Sequence, residues 1–391
     1  VTGRFFLQDC GIIAPIGRGQ SAVAAALATG KRGLRRHETA NTWVGAIDAD
    51  LPGLDASLSG FDCRNNRLMA VAVAEITDSV AQAAAKFGRD RIAVVLGTST
   101  SGISDGEEAM IAHHQTGAWP EGFSYAQQET GGLAEFAARF LGLTGPAYTV
   151  ATACSSSAKV FASGRRLIRA GLADAVIVGG ADTLCRMTIS GFGSLESLSA
   201  DLCNPFSANR DGINIGEGAA AFLLTREPGP VELLGVGETS DAHHPTAPDP
   251  TGGGARGAME QALADAGLSA ADIAYVNLHG TATPLNDAME SAAVADVFGD
   301  RTPCSSTKAL TGHMLGGTGG CEAAFLWLAL NPATSTGTLP PHIWDGARDP
   351  ALPILNLIGP GTPLPGGKLA FLSNSFGFGG SNAALILGRA A

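Results

Sequence analysis

Apolar positions along this chain follow two rhythms. Short unbroken runs of aliphatic and β-branched residues, bounded by glycine, alternate with longer Ala-rich stretches whose apolar residues recur every third or fourth position. The first kind reads as buried strand and the second as helix. Residues 91–97 and 173–180 are strands of the first kind. Between them, Ser155 to Ala170 reads as a helix with Gly171 at its end. The pattern then starts again. A strand at 231–237 is followed by a helix over 256–266 that stops at Gly267, and a strand at 273–278 ends at His279. A short strand at 303–307 ends at Lys308, and a helix entered through the glycines of 312–320 runs to about Leu330. Strands over 369–374 and 382–387 close the chain around a glycine-rich turn. The repeated order predicts an α/β protein of two similar halves, 1–230 and 231–391, with a site between them.

Reactive side chains fall where these strands end, which is where sites gather in α/β sheets. Cys154 lies on a predicted strand-to-helix turn, Thr152-Ala153-Cys154-Ser155-Ser156. There the helix dipole favours a thiolate, so a pKa below the free value of about 8.5 is expected. Unpaired N–H groups of the turn can also hold an oxyanion. A buried, inert cysteine is the competing reading. His279 opens His279-Gly280-Thr281-Ala282-Thr283, and His313 follows Lys308 by five residues.

Composition narrows the class. Of 391 residues, 45% are apolar and 16% charged, with 53 glycines, which describes a large core with many close backbone approaches and no disorder. No apolar run reaches the roughly 18 residues of a membrane helix. The start, Val1 to Leu7, carries no signal-peptide pattern. Seven scattered cysteines form neither a disulfide framework nor CxxC metal spacing, and the expectation is a reducing cytoplasm. A net charge of −11 argues against nucleic acid and anionic membranes as partners. An acidic partner needs a local basic patch, and Lys31, Arg32, Arg35, Arg36 and then Arg64, Arg67 are the candidates.

Four motifs in order carry a resemblance: Thr-Ala-Cys-Ser-Ser at 152–156, His-Gly-Thr-x-Thr at 279–283, Lys-x-x-x-Gly-His at 308–313, and Asn-Ser-Phe-Gly-Phe-Gly-Gly-Ser-Asn at 374–382. Nearly end to end, the chain resembles the elongating (Cys-His-His) β-ketoacyl-acyl-carrier-protein synthases of the thiolase-like superfamily. The resemblance implies a five-layered αβαβα fold and a dimer, and a decarboxylative Claisen condensation of an acyl thioester with malonyl-carrier protein. It implies Cys154 as nucleophile, His279 and His313 as the imidazoles that promote decarboxylation, and Lys308 with Glu322 as the charge network around them. Phe378 would join Cys154 in the oxyanion hole, with Phe376 and Phe378 gating it. Thr281 and Thr283 would bind the phosphopantetheine arm, and Arg64 and Arg67 would dock the carrier. It implies no bound cofactor and no metal; the substrate rides on the arm of acyl carrier protein. The second subunit would be a copy of the chain or a ketosynthase-like homologue.

The alternatives differ at readable positions. A non-catalytic chain-length-factor-like partner typically lacks the nucleophile, whereas Cys154 is present. An initiating synthase uses Cys-His-Asn, whereas His313 supplies a second imidazole. A thiolase places its second cysteine in the terminal glycine-rich turn, where this chain has Phe376-Gly377-Phe378. Departures from the family pattern are Ser207 for an acidic residue, Asn286 for a glycine, and a short, distinctive segment over 104–133 with His113, His114, Trp119 and Tyr125. These point to a specialised synthase, such as one building aryl-polyene or other polyketide-like lipids.

Overall fold

The computed structural model describes residues 3–367 and 369–390. Among these, twelve strands form one continuous sheet. From one edge the order is Asn356–Leu357, Pro303–Ser305, Tyr275–Asn277, Ala370–Gly377, Ser381–Arg389 and Val231–Ser240. It continues with Phe6–Ala14, Gly218–Thr225, Ala175–Asp182, Ile92–Gly97 and Ala147–Val150, while Gly17–Arg18 pairs beside Phe6–Ala14. The sheet is two half-sheets joined edge to edge. The junction is antiparallel and spans two residue pairs, Phe6 with Glu232 and Leu7 with Val231. Outward from the junction, each half shows two antiparallel pairings and then two parallel ones, and the second half adds a third parallel pairing at its edge strand Asn356–Leu357. The repeat expected from element order is therefore present in the hydrogen bonding.

Helices cover both faces, which explains why the parallel strands are apolar throughout instead of alternating. Along Ile92–Gly97, Ala93 and Val95 pack into one core, and Ile92, Val94 and Leu96 into another. The first of these cores is the middle layer, where helices Ser156–Arg169 and Thr318–Leu330 lie against each other and against strands of both halves. Arg64–Ala74 and Gly132–Phe140 cover the outer face of one half, and Gly253–Ala266 and Pro284–Phe298 that of the other. This is the five-layered, thiolase-like arrangement. Every residue of Thr318–Leu330 is buried, as a helix apolar on all sides must be. No single helix among the described residues is long and apolar enough to cross a membrane.

One face differs. Ala147–Val150 is an edge strand with Tyr148 exposed. Near it in sequence, helix Ile103–Thr116 and the turn after it expose Met110, Trp119 and Tyr125. His113, Trp119 and Phe123 stack with centroids 4.3 and 5.0 Å apart. The segment 104–133, distinctive in sequence, thus exposes several large apolar side chains among polar ones.

The middle layer is tight enough to require glycine at Gly97. A Cβ there would collide with the backbone of Ser156 and Ser157, where the nucleophile helix begins. Gly97→Ala is expected to destabilise the fold by about 1–3 kcal/mol, read as a lower urea midpoint at unchanged slope. An unchanged midpoint would show that strand and helix can part at little cost.

Candidate active site

The turn that carries Cys154 is built from hydroxyls. Strand Ala147–Val150 ends, Ala153 takes a left-handed conformation (φ 53), and the helix begins at Ser156. That conformation costs a non-glycine residue about 1–2 kcal/mol and persists only where neighbours enforce it. Here Ser156 Oγ donates to the Ala153 carbonyl at 2.6 Å and accepts the Thr152 N–H at 2.9 Å. Ser155 Oγ donates to the Thr152 carbonyl at 2.8 Å. The sulfur is left buried, one residue before the helix cap.

The second half brings its strand ends to the same place. His313 Nε2 lies 3.0 Å from Cys154 Sγ, and its Nδ1 is 3.0 Å from Thr318 Oγ1. The His279 ring meets that of His313 edge-on, centroids 5.2 Å apart. Lys308 Nζ donates to the His279 carbonyl and, at 2.7 Å, to Glu322 Oε1. Lysine and glutamate are both 1% exposed, so Glu322 is no surface helix residue. Cys154 Sγ and nitrogens of both histidines lie within 4.8 Å of one another. A sulfur and two imidazoles at such separations are also ligands that a soft cation such as Zn²⁺ takes.

Two buried carboxylates complete the site and were not singled out from sequence. Glu290 accepts the N–H groups of His279 and Gly280, both at 2.7 Å, and the Asn374 side-chain amide at 3.1 Å. Asp287 accepts the N–H groups of Phe206 at 2.7 Å and Ala282 at 3.2 Å. Burial raises Glu290 to about 7 and Asp287 to about 6. Both stand on helix Pro284–Phe298 at positions 287 and 290, one turn apart, so they reach the same loop. The three-residue spacing behind His-Gly-Thr-x-Thr was the available signal.

The protonation of the sulfur departs from expectation. Burial pushes the Cys154 thiol up to about 11, whereas a lowered value was expected from the helix dipole. Lys308 and the backbone N–H groups of Phe378 and Cys154 pull the other way without overcoming burial. Burial, with the Lys308 charge beside it, also holds both histidines well below their ordinary value. Burial thus favours the uncharged forms of the thiol and of both imidazoles.

A cleft of about 300 Å³ leads to the sulfur. Thr281 and Thr283 line it, with Phe376 and Phe378. Thr283 occupies the cap position of the next helix but makes no side-chain cap bond, and its hydroxyl instead lies 2.9 Å from that of Thr281. Phe376 packs edge-on against His279, 5.9 Å between centroids. Gly377 lies against the nucleophile turn, where a Cβ would sit 2.9 Å from the Thr152 carbonyl oxygen. Asn286, the departure from glycine, faces the cleft and donates to Asp287 at 3.1 Å. At the other departure, Ser207 Oγ donates to Asp345 at 2.8 Å, and Arg210 pairs with Asp349 at 2.6 Å.

Arg64 and Arg67 do not join this site. Arg64 forms a two-point bond to buried Glu217, at 2.9 and 2.5 Å, and also donates to the Ile47 carbonyl. Arg67 is held by Asp62 at 2.6 and 2.8 Å. Both guanidiniums are ion-paired within the chain while staying partly exposed, and in the other candidate group Lys31, Arg35 and Arg36 are exposed.

Comparison with known proteins agrees with this geometry. Residues 10–228 match the N-terminal domain of β-ketoacyl synthases, and residues 231–343 match the C-terminal domain. The chain belongs to the β-ketoacyl synthase family. It is 38% identical over 279 residues to 3-oxoacyl-[acyl-carrier-protein] synthase 2 of Rhizobium meliloti, covering 63% of this chain and 62% of that protein. The corresponding Staphylococcus aureus synthase is 36% identical over 263 residues, 63% of this chain and 64% of its own length. The chain thus spans less than two thirds of these curated relatives. Among solved structures it is similar to a chain of a ketosynthase in complex with its chain length factor from Xenorhabdus doucetiae. The identity there is 46% and the TM-score 0.93, covering 99% of this chain and 98% of that one. A β-ketoacyl synthase from Burkholderia phymatum superposes with a TM-score of 0.86 at 26% identity, over the full length of both chains.

A raised thiol pKa has a direct signature. Iodoacetamide labelling of Cys154 should speed up by close to tenfold per pH unit between pH 7 and 9, because the thiolate fraction grows tenfold per unit below the pKa. A rate already level from pH 6 would mean a preformed thiolate–imidazolium pair instead.

Proposed function

We propose that this chain is an elongating β-ketoacyl-acyl-carrier-protein synthase, an acyltransferase that works on carrier-bound thioesters. The carrying observation is the convergence of Cys154, His313 and His279, with the Phe378 N–H directed at the sulfur. In the first half-reaction His313 Nε2 takes the thiol proton as sulfur attacks the acyl carbonyl. The oxyanion forms against the N–H groups of Cys154 and Phe378. The bond to the pantetheine sulfur breaks, and that sulfur leaves with the proton from His313. In the second, the malonyl carboxyl carbon departs as CO₂ and its bonding pair becomes an enolate. Neutral His279 and His313 donate N–H bonds to the enolate oxygen. The carbanion attacks the thioester, a carbon–carbon bond forms, and Cys154 leaves as thiolate, which takes up a proton from solvent to restore the thiol.

His313 has to accept at Nε2 in the first step and donate from it in the second. The Thr318 hydroxyl at Nδ1 both donates and accepts, so it supports either tautomer. Thr281 and Thr283 would bind the pantetheine arm, and Phe376 and Phe378 would gate its approach. Lys308 and Glu322 would fix the histidine loop. No cofactor or resident metal enters this scheme, which needs all three ligand atoms free.

The functional halves would be 1–230, which supplies the nucleophile, and 231–391, which supplies the imidazoles. The exposed edge strand Ala147–Val150 and the exposed apolar side chains of 104–133 support a dimer with a second ketosynthase-like chain, either a copy or a homologue. The solved ketosynthase–chain length factor complex makes the homologue the stronger candidate. A cytoplasmic setting fits seven free cysteines. The reading as an inactive chain-length subunit is disfavoured, because such a subunit has no use for a sulfur 3.0 Å from an imidazole.

Incubation with acyl-carrier protein should add one acyl mass to the Cys154 peptide. Cys154→Gln should abolish condensation while some malonyl decarboxylation remains. Condensation surviving in that variant, or no acyl adduct while malonyl-carrier protein is consumed, would sink the covalent mechanism.

A further inference from the structure

The cleft that leads to Cys154 opens between two exposed leucines. Leu285 is 63% exposed and Leu195 48%, and both line the cleft. Leu285 is the second residue of helix Pro284–Phe298, directly after the Thr281–Thr283 pair. Leu195 caps the end of helix Arg186–Ser194. Neither leucine is needed to fill the core beneath it. Ala247, Pro248 and Pro284 lie on the same lining, interspersed with Ser197, Asp241, Thr246 and Asn286.

Charge at the mouth is equally specific. No lysine or arginine lines the cleft among the described residues, and the exposed Glu196 contributes a carboxylate. Glu196 is held in a left-handed conformation (φ 51), with its N–H bonded to the Gly193 carbonyl at 3.0 Å. The backbone of Glu196 is thereby held in a turn directly after Leu195. Arg64 and Arg67, the basic pair expected to receive a carrier, do not line the cleft and are ion-paired with Glu217 and Asp62.

We infer that Leu285 and Leu195 are the contact surface for the carrier protein whose arm enters this cleft. This rests on the reading above that the acyl group arrives on such an arm. An arm that delivers its thioester to Cys154 Sγ has to pass the rim, and the carrier body, too large to follow, comes to rest on it. What it meets is apolar at Leu195, Leu285, Ala247, Pro248 and Pro284, with carboxylates at Glu196 and Asp241 and no lysine or arginine among the described residues. The matching carrier surface is a helix face with an apolar side chain at its centre and no acidic residue opposite Glu196. Recognition of this kind places most of its energy in a few buried apolar anchors. It also responds weakly to salt, unlike docking through surface ion pairs.

The test compares two acyl donors carrying the acyl group that best labels Cys154: a holo-acyl-carrier protein and the N-acetylcysteamine thioester. Leu285→Glu and Leu195→Glu are exposed changes that leave the core intact. Each is expected to lower kcat/KM for the carrier-bound donor by about tenfold, the loss of one apolar anchor, with the small thioester unaffected. Wild-type KM for the carrier should move by less than about twofold between low and moderate salt. Unchanged transfer from the carrier overturns the docking surface and leaves the synthase reading standing. Equal loss with both donors also overturns it, because the leucines would then act on the site itself. If the wild-type enzyme takes acyl groups from neither donor, the synthase reading fails and this inference with it.

Discussion

A lysine ammonium buried beyond the reach of water is the interaction on which the site depends. Lys308 stands where one strand ends, binds the His279 carbonyl where another ends, and pairs with Glu322 on the central helix. Such a pair contributes little net stability, since desolvation offsets most of the attraction. Removing one partner is a different matter, because an unmatched buried charge costs about 3–5 kcal/mol. The arrangement therefore locks three elements together at a fixed geometry. The same charge reaches both histidines and the sulfur: it disfavours imidazolium and favours thiolate. One cation thus biases three protonation states toward those that the proposed condensation would use.

The duplicated topology explains how such a site is assembled. In each half the outermost of the five repeated strands leads into a buried central helix: Ala147–Val150 by way of Cys154, and Pro303–Ser305 by way of Lys308 and His313. Because the two helices lie against each other in the middle layer, the two turns are brought together. Nucleophile and base then come from different halves, 159 residues apart, yet 3.0 Å from each other. Buried carboxylates steady the strand ends in both halves. Asp182 accepts the N–H groups of Ser99 and Thr100 at 2.8 Å, as Glu290 does for His279 and Gly280.

What could be read from sequence was whatever is written locally. Strand runs, glycine stops and the residues at strand ends are local, and Cys154, His279, Lys308 and His313 followed from them. Glu322 came with the family pattern, and its burial follows from a helix that is apolar on every other side. What could not be read depends on distant partners. Arg64 looks like a free surface cation until Glu217, 153 residues on, closes around it. Glu290 and Asp287 look like ordinary acids of an exposed helix face until the histidine loop turns its amides toward them. The thiol pKa fails for the same reason. A helix dipole is visible in sequence, whereas the burial that outweighs it belongs to the packed middle layer.

That burial has a functional logic. Burial that raises the Cys154 thiol favours its protonated form, which is less reactive toward adventitious electrophiles and oxidants than a thiolate. Its base lies at hydrogen-bond distance, so reaction needs only a carbonyl placed against the N–H groups of Cys154 and Phe378. Developing charge on that oxygen is stabilised only there, and proton transfer to His313 can then accompany attack. In the proposed reaction, reactivity would thereby be tied to the arrival of a correctly seated thioester. A permanently ionised sulfur would gain speed and lose that discrimination. For a site that opens to solvent through a cleft of about 300 Å³, a neutral resting thiol is the arrangement consistent with both selectivity and survival between turnovers.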